Sequence, residues 1–122
     1  MNQQTWIETI KNRAADLRLM VATYGVVSLG LLAVIIFGGA HIKASGDEFA
    51  VAAMIVLIGI LALVWNDGAM ADISAGVSDM DEEVSASAMG RNFAKAPFGM
   101  FRALNLVVIL GISATQMIAL YN

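Results

Sequence analysis

The chain has 122 residues, is 59% apolar with a mean hydropathy of +0.76, and carries only 14% charged residues, for a net charge of −3. Soluble domains carry about 25% charge and nucleic-acid binding needs a basic patch, so a soluble fold and a nucleic-acid partner are both excluded. The absence of cysteine removes disulfides and thiolate metal sites.

Formal charge is missing from three runs, residues 19–42, 49–66 and 103–122. About 20 mainly apolar residues span the hydrocarbon core as a helix. Three such runs leave too little chain for a separate soluble core. The expected fold class is therefore an all-α membrane protein forming one integral membrane domain over residues 1–122, with the lipid bilayer as its first partner. A secretory signal is a competing reading of the first run. Such a signal has a 7–15-residue apolar region behind a short basic start; here the run is longer, and Glu8 and Asp16 interrupt the basic start. The run is read as a retained span.

Residues 5–18 come first. Thr5 and Glu8 have capping-box spacing. Trp6, Ile10, Ala14 and Leu17 then fall on one face, with Glu8, Lys11, Asn12 and Asp16 elsewhere, which predicts an amphipathic helix at a membrane interface or against a neighbouring helix. Span one follows at 19–40, with Gly30, Ala33, Phe37 and Ala40 near one stripe. Small residues let membrane helices approach closely, which makes Gly30 and Ala33 candidate packing or partner positions. Residues 41–48 read as a tight turn around Ser45-Gly46-Asp47.

Span two, 49–66, carries a second small-residue stripe of Ala52, Gly59, Ala62 and Asn66. Its apolar stretch is short for a hydrocarbon core of about 30 Å, so the helix is expected to run on. Met70, Ile73, Val77, Met80 and Val84 continue at alternating spacings of 3 and 4, the mark of an apolar helical seam. Asp72, Asp79, Glu82 and Glu83 lie off that seam. Residues 67–89 are therefore predicted as an acidic amphipathic helix, stopped by Gly90 and bent at Gly68 or Gly76 to keep the return path short. Acids are repelled by anionic lipid. The seam is expected to meet protein, either the N-terminal helix or another subunit, with Lys11, Arg13 and Arg18 facing the acids.

Span three, 97–121, begins with Pro97, suited to a first helical turn, and carries the intramembrane polar residues Arg102, Asn105 and Gln116. Asn105 and Gln116 share a face. The expected role is interhelical hydrogen bonding, with Arg102 reaching to the interface. Six of the seven Lys and Arg residues flank one side of the spans, and Lys43 alone flanks the other. The positive-inside rule places the N-terminus and residues 67–96 in the cytoplasm and the C-terminus outside, in a bacterial inner membrane or a phage membrane.

No residue set carries recognisable chemistry. His41 is single and reads as an interfacial polar residue. Asp79, Asp81, Glu82 and Glu83 lack the alternating ligands and Gly turn of a calcium loop. The eight methionines are scattered packing fillers. No catalytic, cofactor or metal residues are assigned. The expected function is a non-catalytic structural or assembly subunit of a larger membrane complex or a membrane-containing phage particle, partnered by other membrane subunits or copies of itself. A self-assembling pore or small channel, holin-like, is the alternative. A lipid-modifying enzyme is third and would rest on Asn66, Asp67 and Asp72.

Overall fold

Asn2 starts the first helix. Its backbone is extended, and its side chain accepts a hydrogen bond from the Thr5 amide at 2.8 Å. That satisfies one of the free amides at a helix N-terminus. The cap is Asn2 rather than the expected Thr5, and Glu8 instead accepts from the Gln4 amide side chain at 2.9 Å. The computed structural model describes residues 2–122 and is all-helical over them, with helices α1 (Gln3–Ser45), α2 (Glu48–Ser78), α3 (Glu82–Ala86), α4 (Ala88–Lys95) and α5 (Phe98–Tyr121).

Helix α1 fuses two expected elements, since the amphipathic segment and span one form a single helix of 43 residues. At 1.5 Å per residue it is about 65 Å long. It ends at Gly46, whose φ of 77° is a left-handed conformation that glycine adopts without a Cβ penalty. The Asp47 amide closes back on the Ile42 carbonyl at 3.1 Å. The turn is thus narrower than the expected 41–48, and only Gly46 and Asp47 lie outside a helix.

Helix α2 runs unbroken through Gly68 and Gly76 and stops at Ser78. Residues 67–89 therefore do not form one helix. The cause is local capping chemistry that hydropathy spacing does not register. Asp81 is extended and accepts from the Val84 amide at 2.7 Å, while Glu82 and Glu83 sit in the first turn of α3, where the helix dipole favours acids. Ser87 repeats the device and accepts from the Gly90 amide at 3.0 Å to start α4. Gly90 is accordingly inside α4, not a stop. A Cβ at Gly90 would collide with the Val84 carbonyl, so glycine permits the tight fold between α3 and α4. Residues 90–96, expected as a connection, are mostly helix α4.

Helices α1, α2 and α5 are each long and apolar enough to cross a membrane. They run up, down and up. Helix α2 packs against both of the others, while α1 and α5 meet more sparingly. The buried stripe of α2 explains this arrangement. Ala52, Ile55, Gly59, Ala62, Asn66, Ala69, Met70, Ile73 and Gly76 are its buried residues. Small side chains dominate, so neighbouring backbones come close. At Gly59 an added Cβ would lie 2.9 Å from Ser113 Oγ on α5. Ile35, Ile42, Ala52, Ile55 and Leu120 form a core cluster at the hairpin end, and Tyr24, Ala62 and Ile109 form a second further along. Most other large apolar side chains of the three helices face outward, among them Val26, Phe37, Leu57, Val64 and Val107. Such an exterior suits a membrane location.

Candidate functional site

The up-down-up order brings the start of α1, the end of α2 and the start of α5 to one end of the bundle, together with α3 and α4. Two polar features arise there, each at a helix crossing, and a third lies deeper in the bundle, towards the hairpin end.

The outermost joins α1 to α2. The Trp6 indole N–H donates to the Gly76 carbonyl at 2.6 Å, and Arg13 Nε meets Asp72 Oδ2 at 2.9 Å. Ile10 lies against Gly76, its Cδ1 occupying the place a β-carbon would take. The first third of α1 thus lies against protein, and one basic residue of the expected set pairs with one of the acids. Met70 and Ile73 of the seam are buried, and Val77 is half-buried, all on α2. Met80 and Val84 are half-buried outside it, where they face Trp6, Ile7 and Ile10 across an apolar groove completed by Phe93.

One layer inward, α2 meets α5. Arg102 grips Asp67 with two parallel hydrogen bonds, Nε to Oδ1 at 2.7 Å and Nη2 to Oδ2 at 2.9 Å. This fork geometry is the one in which guanidinium and carboxylate match best. Adjacent to it, Asn66 Nδ2 donates to Asn105 Oδ1 at 3.1 Å. Asn66 is 3% exposed. Deeper still, α5 meets α1, where the Gln116 amide donates to the Ser28 carbonyl at 2.9 Å.

No protein-family model, curated protein or solved structure matches the chain. What the layer can do is therefore argued from its own chemistry. Among the described residues no three His, Cys, Asp or Glu side chains gather as a metal site would require. The polar groups are mostly amides and one ion pair, suited to holding helices in register.

The remaining expected positions divide between the two surfaces of the bundle. Ala52, Gly59 and Ala62 are buried on α2. Gly30 and Ala33 are exposed on α1, with nothing within 4 Å of where a Gly30 β-carbon would stand. The face of α1 that packs is instead Tyr24, Ser28, Ile35 and Ile42. Sequence reasoning missed Tyr24, the Trp6–Gly76 bond and the pairing of Asp67 with Arg102. A signal for the last existed: Asn66-Asp67 closes one span, and Arg102 and Asn105, three apart, open the antiparallel one.

Proposed function

We propose that the chain is a small non-catalytic membrane subunit with a structural role in a larger assembly, built with other membrane proteins or with further copies of itself. The observation that carries this reading is the use of the polar side chains in the spans. Asn66 with Asn105, Asp67 with Arg102, and Gln116 with the Ser28 carbonyl each tie two helices together. Within a bilayer, polar side chains of this kind are interhelical glue. The outward Gly30 and Ala33 on α1 support the second half of the proposal, since small residues on an unpaired face admit close approach by another helix. The Lys and Arg bias supports an orientation with the N-terminus and residues 67–96 on the cytoplasmic side and the C-terminus outside. A bacterial inner membrane or the membrane of a phage particle fits this arrangement.

Native mass spectrometry of protein gently extracted from its own membrane tests the proposal. Recovery at fixed stoichiometry with larger, different subunits, or within a defined multi-copy scaffold that does not conduct ions, is the expected result. Recovery as a closed homo-oligomer that conducts ions in planar bilayers would overturn it in favour of a pore.

A further inference from the structure

Beside the Asp67–Arg102 pair lies an open groove of about 750 Å³, lined by α2 and α5 alone. That is the size of a small-molecule site. The two charged groups in it are reachable, since the Arg102 side chain is 44% exposed and the Asp67 side chain 40%. Their mutual bonds use only one edge of each group. Nε and Nη2 of Arg102 each donate once to Asp67, so the guanidinium keeps three N–H donors and each Asp67 oxygen keeps a lone pair.

The groove is ordered along the helix axes. Gly68 and Gly99 stand at its charged end, with nothing within 4 Å of where either β-carbon would be. The ion pair comes next, and Leu63, Val64 and Leu106 line the groove beyond it. Open, then charged, then apolar is the order in which a phospholipid presents water, headgroup and chains. Depth agrees. Asp67 lies about 28 Å along α2 from Glu48, and Arg102 about 28 Å along α5 from Tyr121. A hydrocarbon core is about 30 Å thick, so the pair stands at one boundary when the opposite helix ends reach the other. Trp65, exposed next to this level, is a residue type of that boundary.

We propose that this groove binds the headgroup of one phosphatidylethanolamine, with its phosphate on Arg102 and its ammonium on Asp67. The inference rests on the membrane location argued above. The pair is neutral as a whole, and so is this headgroup. Its two charges are joined by a two-carbon bridge and can lie alongside those of the protein in opposite order. A primary ammonium donates the hydrogen bonds that the free Asp67 lone pairs accept, whereas the quaternary ammonium of phosphatidylcholine has no N–H. Phosphatidylglycerol would set a phosphate beside the Asp67 carboxylate with no cation to offset it. The start of α5 adds to the attraction for phosphate. Pro97 supplies no side-chain cap, so the first-turn amides of Gly99 and Met100 have no acceptor within the helix.

The test uses the full chain in dodecyl maltoside, titrated with 1-palmitoyl-2-oleoyl phosphatidylethanolamine and read by native mass spectrometry. Phosphatidylcholine and phosphatidylglycerol with the same chains are the controls. A one-to-one complex with phosphatidylethanolamine, about tenfold tighter than with either control, is expected, the weight of a charge-assisted hydrogen bond. Asp67→Asn removes the charge but little volume, and the preference over phosphatidylcholine should shrink to about twofold or less. That preference is a readout that a purely structural role of Asp67 would not move. Gly68→Leu projects into open space and replaces a helical glycine with a better helix former. It should fold at least as well as the parent and hold phosphatidylethanolamine at least tenfold less well. Equal retention of the three lipids by the parent, an unchanged preference in Asp67→Asn, or unchanged retention in Gly68→Leu would overturn the inference. So would a lipid-free dimer that Gly68→Leu splits, which would give the groove to a second copy of the chain. A chain recovered from membranes without headgroup preference would overturn the groove alone, whereas recovery in the soluble fraction would overturn the membrane reading with it.

Discussion

Gly59→Ala is the sharpest probe of the helix packing. An added β-carbon at residue 59 would stand 2.9 Å from Ser113 Oγ, and the next atom, Ile109 Cγ2, lies at 3.8 Å. The first distance is about half an ångström inside ordinary contact and the second is comfortable. In a helix, alanine is better than glycine by about 1 kcal/mol, while overfilling a packed contact costs about 1–3 kcal/mol. In the parent chain the two terms oppose, and Gly59→Ala should range from neutral to destabilising by about 2 kcal/mol. In a Ser113→Ala background the close atom is gone and only the helix term remains. There the same substitution should stabilise by up to about 1 kcal/mol. The coupling between the two sites is then about 1–3 kcal/mol, within the range of contacting residues. Reversible unfolding in mixed micelles, followed by far-ultraviolet circular dichroism, measures all four corners of the cycle. If Gly59→Ala shifts stability equally in both backgrounds, α2 and α5 do not approach at Gly59 as described.

Asn105→Leu should cost about 1–3 kcal/mol, because it leaves the buried Asn66 amide without its partner, and Asn66→Leu in the same chain should recover most of the loss; the unfolding assay reads both. Trp6→Phe removes the indole donor to Gly76 and should raise hydrogen exchange over residues 3–18 while leaving the spans unchanged. Exchange that rises uniformly would contradict a local role for that bond. Gly90→Ala should loosen residues 82–95 to proteolysis, since its β-carbon meets the Val84 carbonyl. Because the chain has no cysteine, Ser45→Cys and Ser85→Cys give single labelling sites. An impermeant maleimide added to intact cells should reach residue 45 and not residue 85, and the reverse pattern would invert the orientation.

The three long helices were legible because runs without charge are a strong signal of one kind, a length of apolar sequence matched to a bilayer. The stripe of Ala52, Gly59, Ala62 and Asn66 was legible for a related reason: these small and polar residues share one helical face, and that face is buried. The segment after Asn66 misled. Its apolar spacing continues past Ser78, but spacing records only which residues share a face if a helix exists. Asp81 and Ser87 each offer the backbone a side-chain acceptor, and those local bonds restart the helix twice. The stripe through Gly30 and Ala33 was visible too, yet α1 turns Tyr24, Ser28 and Ile35 inward instead. Two plausible faces were available on that helix. The choice depends on the three-way fit with Ala62 and Ile109, which no single segment encodes. The Asn66–Asn105 and Asp67–Arg102 pairs depend likewise on the vertical register of two antiparallel helices, which neither segment records alone.

Neither α1 nor α2 breaks where the apolar sequence gives way to charge. With the spans in a bilayer, the segment carrying Trp6 and Arg13 is a rigid extension of the segment carrying Tyr24, latched to the end of α2 along its length. Helices adjust to bilayer thickness by tilting, and a helix about twice as long as the core is thick converts that tilt into sideways travel at its far end. In a bilayer, a change of tilt would therefore swing the Trp6 end of α1 and the latched end of α2 sideways together, while the spans stay embedded.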